Sequence, residues 1–271
     1  MTTLFLDRPG GRISYDDSGG IGPLVVAAPG MGDSRTVYRH LAPALVAAGF
    51  RFVTMDLRGI GESTVDWDDY SDTAIASDYL ALISELDAGP AVLVGNSLSC
   101  ASAVIAATTA PETVLGMVII GPFVRDVPQK AWQKAAFHAM LTPPWGRSAW
   151  ISYYRKQMYP GATAEDHDEY VDALSENLAE PGRYASFRSL AFNSHAESGR
   201  RLGDVTQPVV VIMGTADPDF PDPTSEANEL GEILNGEVVL SEGSGHYPQA
   251  DNPDKVASPI IELTNRVFKS A

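Results

Sequence analysis

One cysteine, Cys100, occurs in 271 residues. No internal disulfide can form, and a reducing compartment is the natural expectation. Basic residues are also scarce. The 19 Lys and Arg stand against 35 Asp and Glu, a formal charge of −16 that repels nucleic-acid phosphates and anionic lipid headgroups. Neither a nucleic-acid partner nor a membrane-surface role is expected. No apolar run approaches the ~18 residues of a membrane span, and the first eight residues lack the basic start and apolar stretch of a secretory leader. Cytoplasmic location is the default expectation. Cofactor signatures are missing too: there is no Gly-x-Gly-x-x-Gly opening a strand-helix unit and no Gly-Lys-Ser or Gly-Lys-Thr. No two of the five histidines have the Glu-flanked i, i+4 spacing of a metal helix. No cofactor and no metal are expected.

What remains is an ordinary enzyme-sized composition, 44% hydrophobic and 20% charged, enough for one main core with room for a small insertion. Thr3–Leu6 and Arg12–Asp16, around the Gly10-Gly11 turn signal, read as an antiparallel edge pair. Continuously apolar runs then alternate with helical patterns. Leu24–Ala28, Phe52–Met55, Ala91–Val94, Val114–Ile120 and Val209–Met213 read as strands covered on both faces, and Glu237–Leu240 closes the series. Helices are expected at about 36–48, 72–86, 100–107, 224–234 and from Asn252 to Phe268. Such alternation implies a mostly parallel sheet with helices on both sides.

The most informative stretch is Val94-Gly95-Asn96-Ser97-Leu98-Ser99, where a buried strand turns directly into a helix. A serine at such a turn adopts a strained backbone, and small neighbours let strand and helix approach. Gly95 and Ser99 are those neighbours, making this a Gly-x-Ser-x-Ser form of the nucleophile elbow. Other stretches point the same way. Pro29-Gly30-Met31-Gly32, Asp56-Leu57-Arg58-Gly59-Ile60-Gly61-Glu62-Ser63, the elbow, Gly214-Thr215-Ala216-Asp217 and Gly245-His246 resemble, in order, the landmarks of the α/β-hydrolase superfamily. The resemblance covers nearly the whole chain except about residues 122–203.

It implies an α/β-hydrolase fold with core segments 1–121 and 204–271 and an inserted helical cap over 122–203. That insertion is rich in aromatics and free of long β-branched runs. Within it, Thr163 ahead of Glu165 and Asp166 reads as a helix start, and Asp166-His167-Asp168-Glu169 as a solvated helix face rather than a metal site. Aromatics between Phe123 and Tyr159, with Met140 and Leu141, are expected to wall a pocket over Ser97. Asp56 and Arg58 are expected to be structural, and Cys100 a buried hydrophobe.

The resemblance also assigns roles. Ser97 is the nucleophile, His246 the base on a glycine-rich loop after the last strand, and Asp217 the acid three residues after a strand-ending glycine. Asp219, beyond Pro218, is the second choice and is expected to be solvated. Backbone N–H groups of Met31 and Leu98 would form the oxyanion hole. His40, His138, His167 and His195 lack a strand-loop context, so surface or packing roles are expected. The implied activity is cofactor-free serine hydrolysis of a small-molecule carboxylic ester or lactone. Carbon–carbon bond hydrolysis, perhydrolase (cofactor-free haloperoxidase) chemistry and a ligand receptor with little turnover are the alternatives. Serine rather than aspartate at position 97 argues against dehalogenase and epoxide-hydrolase relatives, which alkylate a carboxylate.

Overall fold

A computed structural model of the chain describes residues 3–126, 130–161 and 164–270; Thr163 lies outside them. Eight strands form one sheet: β1 (Thr3–Arg8), β2 (Gly11–Asp17), β3 (Leu24–Ala28), β4 (Arg51–Met55), β5 (Ala91–Asn96), β6 (Val114–Ile120), β7 (Val209–Gly214) and β8 (Glu237–Ser241). Their spatial order is β1-β2-β4-β3-β5-β6-β7-β8. β2 runs antiparallel to β1 and β4, and all later pairings are parallel. Every residue of β3, β5 and β7 is buried, because helices cover both faces and a two-sided strand needs apolar side chains on each.

The flanking helices are α1 (Ala42–Ala47), α2 (Asp72–Leu86), α3 (Ser99–Thr109), α9 (Pro223–Ile233) and α11 (Pro253–Ser270), with the short α10 (Pro248–Asp251) before the last. The single helix expected at 36–48 is instead a 3-10 turn, Arg35–Tyr38, followed by α1. Pro43 is the reason. It has no N–H to bond back into a preceding turn, and its fixed φ suits the first turn of a new helix. Between β6 and β7 the described chain is helical throughout: α4 (Ala131–Met140), α5 (Gly146–Gln157), α6 (His167–Ala179), α7 (Arg183–Ala191) and α8 (Ala196–Arg201).

Topology positions the site. The chain steps from β3 outward to β4 and then back across to β5, so the loops leaving β3 and β5 diverge at a switch point, where ligands bind in such sheets. Register carries the placement further. Ala28 pairs with Gly95, Asn96 with Ile120, and Gly214 with Ser241. The loops after β3, β5, β7 and β8 therefore open on one edge of the sheet.

The Asp56 and Arg58 stretch is structural, as its sequence suggests, though the two do not pair with each other. Buried Asp56 accepts from Ser14 Oγ and the Arg35 amide, each at 2.7 Å, and also pairs with the Arg35 guanidinium. Arg58 pairs with buried Asp78 at 2.6 Å and lies over the Trp67 ring. Among the described residues, no helix is long and apolar enough to cross a membrane.

Candidate active site

Ser97 follows β5 with φ of +57°, a left-handed conformation that costs on the order of 1–3 kcal/mol for a non-glycine residue unless the surroundings hold it. They do. The Ser97 amide donates to Ile120 O at 2.9 Å, and its carbonyl accepts from Cys100 N at 3.1 Å. A methyl at Gly95 would come within 2.9 Å of the Cys100 backbone, so only glycine lets the strand and α3 approach this closely. Ser99 does more than stay small. Its hydroxyl accepts from Asn96 N at 2.8 Å and meets Ala28 O at 2.8 Å, linking the elbow to the end of β3. Cys100 is fully buried and donates to Ile120 O. Burial pushes its thiol well above the usual range, so it stays protonated and inert.

The loops after β7 and β8 bring Asp217 and His246 together. Nδ1 of His246 is 2.7 Å from Oδ2 of Asp217, and the two side chains are 1% and 0% exposed. The histidine loop is fastened from two sides: His246 N donates to Met158 O at 3.0 Å, and Asn96 Nδ2 donates to His246 O at 3.2 Å. Asn96, the residue before Ser97, thereby ties the Ser97 turn to the His246 loop. Among the described residues no hydrogen bond joins Ser97 Oγ to His246.

Asp219 departs from expectation. Its side chain keeps only 18% exposure, its Oδ2 lies 3.7 Å from His246 Nδ1, and Tyr153 of α5 donates to its Oδ1 at 2.6 Å. Its amide donates to Asp217 Oδ1 at 3.0 Å. The Pro218 turn, expected to lead into solvent, instead folds Asp219 back under α5. Ligand atoms of Asp217, Asp219 and His246 all lie within 4.8 Å of one another, and the Nδ1–Oδ2 hydrogen bond accounts for their closeness. Burial alone would lower the imidazole pKa, but the charge and hydrogen bond of Asp217, then the charges of Asp219 and Asp33, outweigh it. They raise His246 from an ordinary 6.5 to about 9.

A cavity of about 770 Å³ opens over Ser97, and Met31 and Leu98 share its wall. Phe123, Trp132, Phe137, Met140, Trp150 and Tyr153 line it as well. Phe192 joins them, whereas several other residues of the insertion do not. Leu141 is buried away from it, and Tyr154, Tyr159 and Tyr170 gather around a carboxylate that no sequence motif singles out. That carboxylate is Asp33, fully buried two residues after Met31. It accepts from Tyr154 at 2.6 Å and from Ser34 N at 2.7 Å, and it also bonds Tyr170. Burial raises its pKa to about 6, against the opposing hydrogen bonds. The loop carrying Met31 is thus held by α5 and α6. His167 is buried and packs edge-on to Tyr159, while Asp166 pairs with Arg39 and His40. His195, expected at the surface or in packing, lines the cavity with its Nδ1 2.8 Å from Asp72.

Comparison with known proteins identifies the family and the fold. The family model for the alpha/beta hydrolase family matches residues 25–258. A protein of Mycobacterium tuberculosis named "Putative non-heme bromoperoxidase BpoC" is 38% identical over 261 residues, 93% of this chain and 97% of that one. A protein of Oryza sativa subsp. japonica named as a probable esterase is 29% identical, covering 88% of this chain and 89% of its own. The crystal structure of a bromoperoxidase from Bacillus anthracis superposes with a TM-score of 0.83 at 20% identity, over 97% of this chain and all of that one. With most of its length matched by the family model and its fold shared, this chain belongs to the alpha/beta hydrolase family.

Proposed function

We propose that this protein is a serine hydrolase that cleaves a small carboxylic ester or lactone through an acyl-enzyme on Ser97. The observation that carries the reading is the convergence of three strand ends: a left-handed serine after β5 and a dry His246–Asp217 pair at 2.7 Å from the loops after β8 and β7. Serine hydroxyl is a weak nucleophile, so an imidazole must take its proton during attack. His246 has that role, with Asp217 fixing Nδ1–H and leaving Nε2 to face the serine. The oxyanion formed on the carbonyl is held by the amides of Met31 and Leu98. His246 then returns the proton to the leaving alcohol, and a water activated the same way releases the acid. Helices α4–α8 form the cap, its aromatics walling the acyl and alcohol sides, as apolar pockets with few polar groups do.

A second reading is favoured by relatives named as bromoperoxidases: hydrogen peroxide intercepts the acyl-enzyme in place of water and gives a peracid. The two share every step up to the acyl-enzyme. Ser97→Ala tests both, because triad members act as a unit and removal of one costs ~10⁴-fold or more. Turnover of p-nitrophenyl esters at the wild-type rate by the alanine variant would overturn the nucleophile assignment. Peracid formation from a carboxylic acid and hydrogen peroxide by the wild type separates the two readings. A receptor-like protein would instead stop after one slow turnover.

A further inference from the structure

A second histidine–aspartate pair borders the cavity through its histidine, and the proposed chemistry leaves it idle. His195 stands just before α8 and lines the same cavity as Ser97. Its Nδ1 lies 2.8 Å from Oδ2 of Asp72, a carboxylate only 2% exposed in the first turn of α2. Asn193 Nδ2 donates to the other oxygen, Oδ1, at 2.8 Å. Both oxygens of Asp72 are engaged as acceptors, so in the neutral imidazole the ring hydrogen sits on Nδ1 and the lone pair on Nε2.

No hydrogen bond to Nε2 is made among the described residues. The His195 side chain keeps 13% exposure and lines the cavity, and with Nδ1 engaged by Asp72, Nε2 is the ring nitrogen left for a ligand. Phe123 sets the spacing to the reacting centre. Its ring centroid is 6.3 Å from that of His195 and 6.0 Å from that of His246. Both imidazoles thus pack against one phenyl ring.

A purely structural role would make His195 a latch between the insertion and the core. The backbone contact of His195 N with Asp126 at 2.7 Å and the ring contact with Asp72 fit that role. A latch uses only the inward edge of the ring, however, and has no need of an open acceptor on the cavity wall.

We propose that His195 is a specificity residue whose Nε2 accepts a hydrogen bond from a hydroxyl or amide N–H on the substrate, about one phenyl ring away from the reacting carbonyl. The preferred substrate is then a hydroxylated or amide-bearing ester or lactone rather than a plain alkanoate. This rests on the serine-hydrolase reading above. Asp72 is a positioning residue: it fixes which ring nitrogen faces the ligand.

The test compares three p-nitrophenyl esters, hexanoate, 6-hydroxyhexanoate and 6-methoxyhexanoate, which differ in whether the chain end donates a hydrogen bond. Wild type is expected to favour the hydroxy ester over the other two by roughly 3- to 10-fold in kcat/KM, mostly through KM, as suits one neutral hydrogen bond. His195→Ala should level that ratio. Asp72→Asn should bring the methoxy ester level with the hydroxy ester and both above hexanoate, since a hydroxyl and an ether oxygen accept equally from a donor. Its amide oxygen stays with Asn193 and its NH₂ faces Nδ1, so the ring hydrogen moves to Nε2 and the cavity side becomes a donor. A latch has no reason to move donor-against-acceptor preference, and thermal melting of each variant identifies any that fails to fold. Wild type cleaving all three esters equally overturns the proposal while leaving the hydrolase reading intact, as does an unchanged ratio in folded His195→Ala. Wild type cleaving none of them overturns both.

Discussion

Hydrolysis should rise with pH to an unusually alkaline midpoint. In the proposed mechanism His246 accepts the serine proton only when neutral, and its pKa in this fold is raised to about 9, because Asp217, Asp219 and Asp33 outweigh the burial that would lower it. The sequence alone leads to the ordinary histidine range, about 6 to 7. With a pKa near 9, the neutral fraction is ~1% at pH 7 and about half at pH 9, so kcat/KM on an activated ester should grow roughly 50-fold between them. The same shift has a stability counterpart. A histidine more basic in the folded than in the unfolded chain contributes stability that is complete below its ordinary 6.5 and is lost as pH climbs through about 9. For this fully buried ring the contribution is on the order of 3 kcal/mol. The assay is kcat/KM on one p-nitrophenyl ester across this range, corrected for spontaneous hydrolysis, with thermal melting on the same samples. A midpoint at or below 6.5, or a melting temperature that does not fall between pH 6.5 and 9, would refute the electrostatic reasoning.

Other consequences are sharper at single positions. Asp217→Asn should preserve shape but hold the wrong histidine tautomer, lowering kcat by up to ~10⁴-fold. Asp219→Asn should cost far less in kcat, about tenfold, while drawing the pH midpoint of kcat/KM downward, since the charge 3.7 Å from Nδ1 is removed. A larger kcat loss at position 219 than at 217 would reverse their roles. Gly32→Ala should destabilise by ~2–4 kcal/mol: φ is +69°, and the new methyl would lie 2.8 Å from Trp150 Nε1 and from the Phe187 ring. Urea unfolding measures this, and a loss under ~1 kcal/mol would mean that the loop bearing Met31 can move away from α5 and α7.

Much of the framework was legible because it depends on local patterns. Two-sided burial writes itself as runs such as Val209-Val210-Val211-Ile212-Met213, and a strand-to-helix turn around a serine requires small neighbours at Gly95 and Ser99. Ser97, Asp217 and His246 each sit at the end of such a run, so their position could be read without knowing what they touch. Side chains that act across the insertion could not. Asp33 is one more acid in an acidic chain until α5 and α6 deliver Tyr154 and Tyr170 to it from more than a hundred residues away. Asp219 reads as a solvated turn residue because nothing local announces Tyr153. His195 and Asp72 are likewise joined only by the packing of the insertion against α2. Val37, Leu41 and Leu45 keep helical spacing across the stretch, yet the chain breaks ahead of Pro43.

The central claim is that Ser97 is an activated nucleophile, and covalent labelling tests it most directly. A fluorophosphonate probe is attacked only by a serine whose proton is being removed and whose oxyanion is stabilised. Incubation of the folded protein with such a probe, followed by digestion and mass-spectrometric mapping, should find one adduct, on Ser97. The adduct should be absent from Ser97→Ala and form faster as pH rises through about 9. An adduct on another residue, or undiminished labelling of Ser97→Ala, would contradict the account.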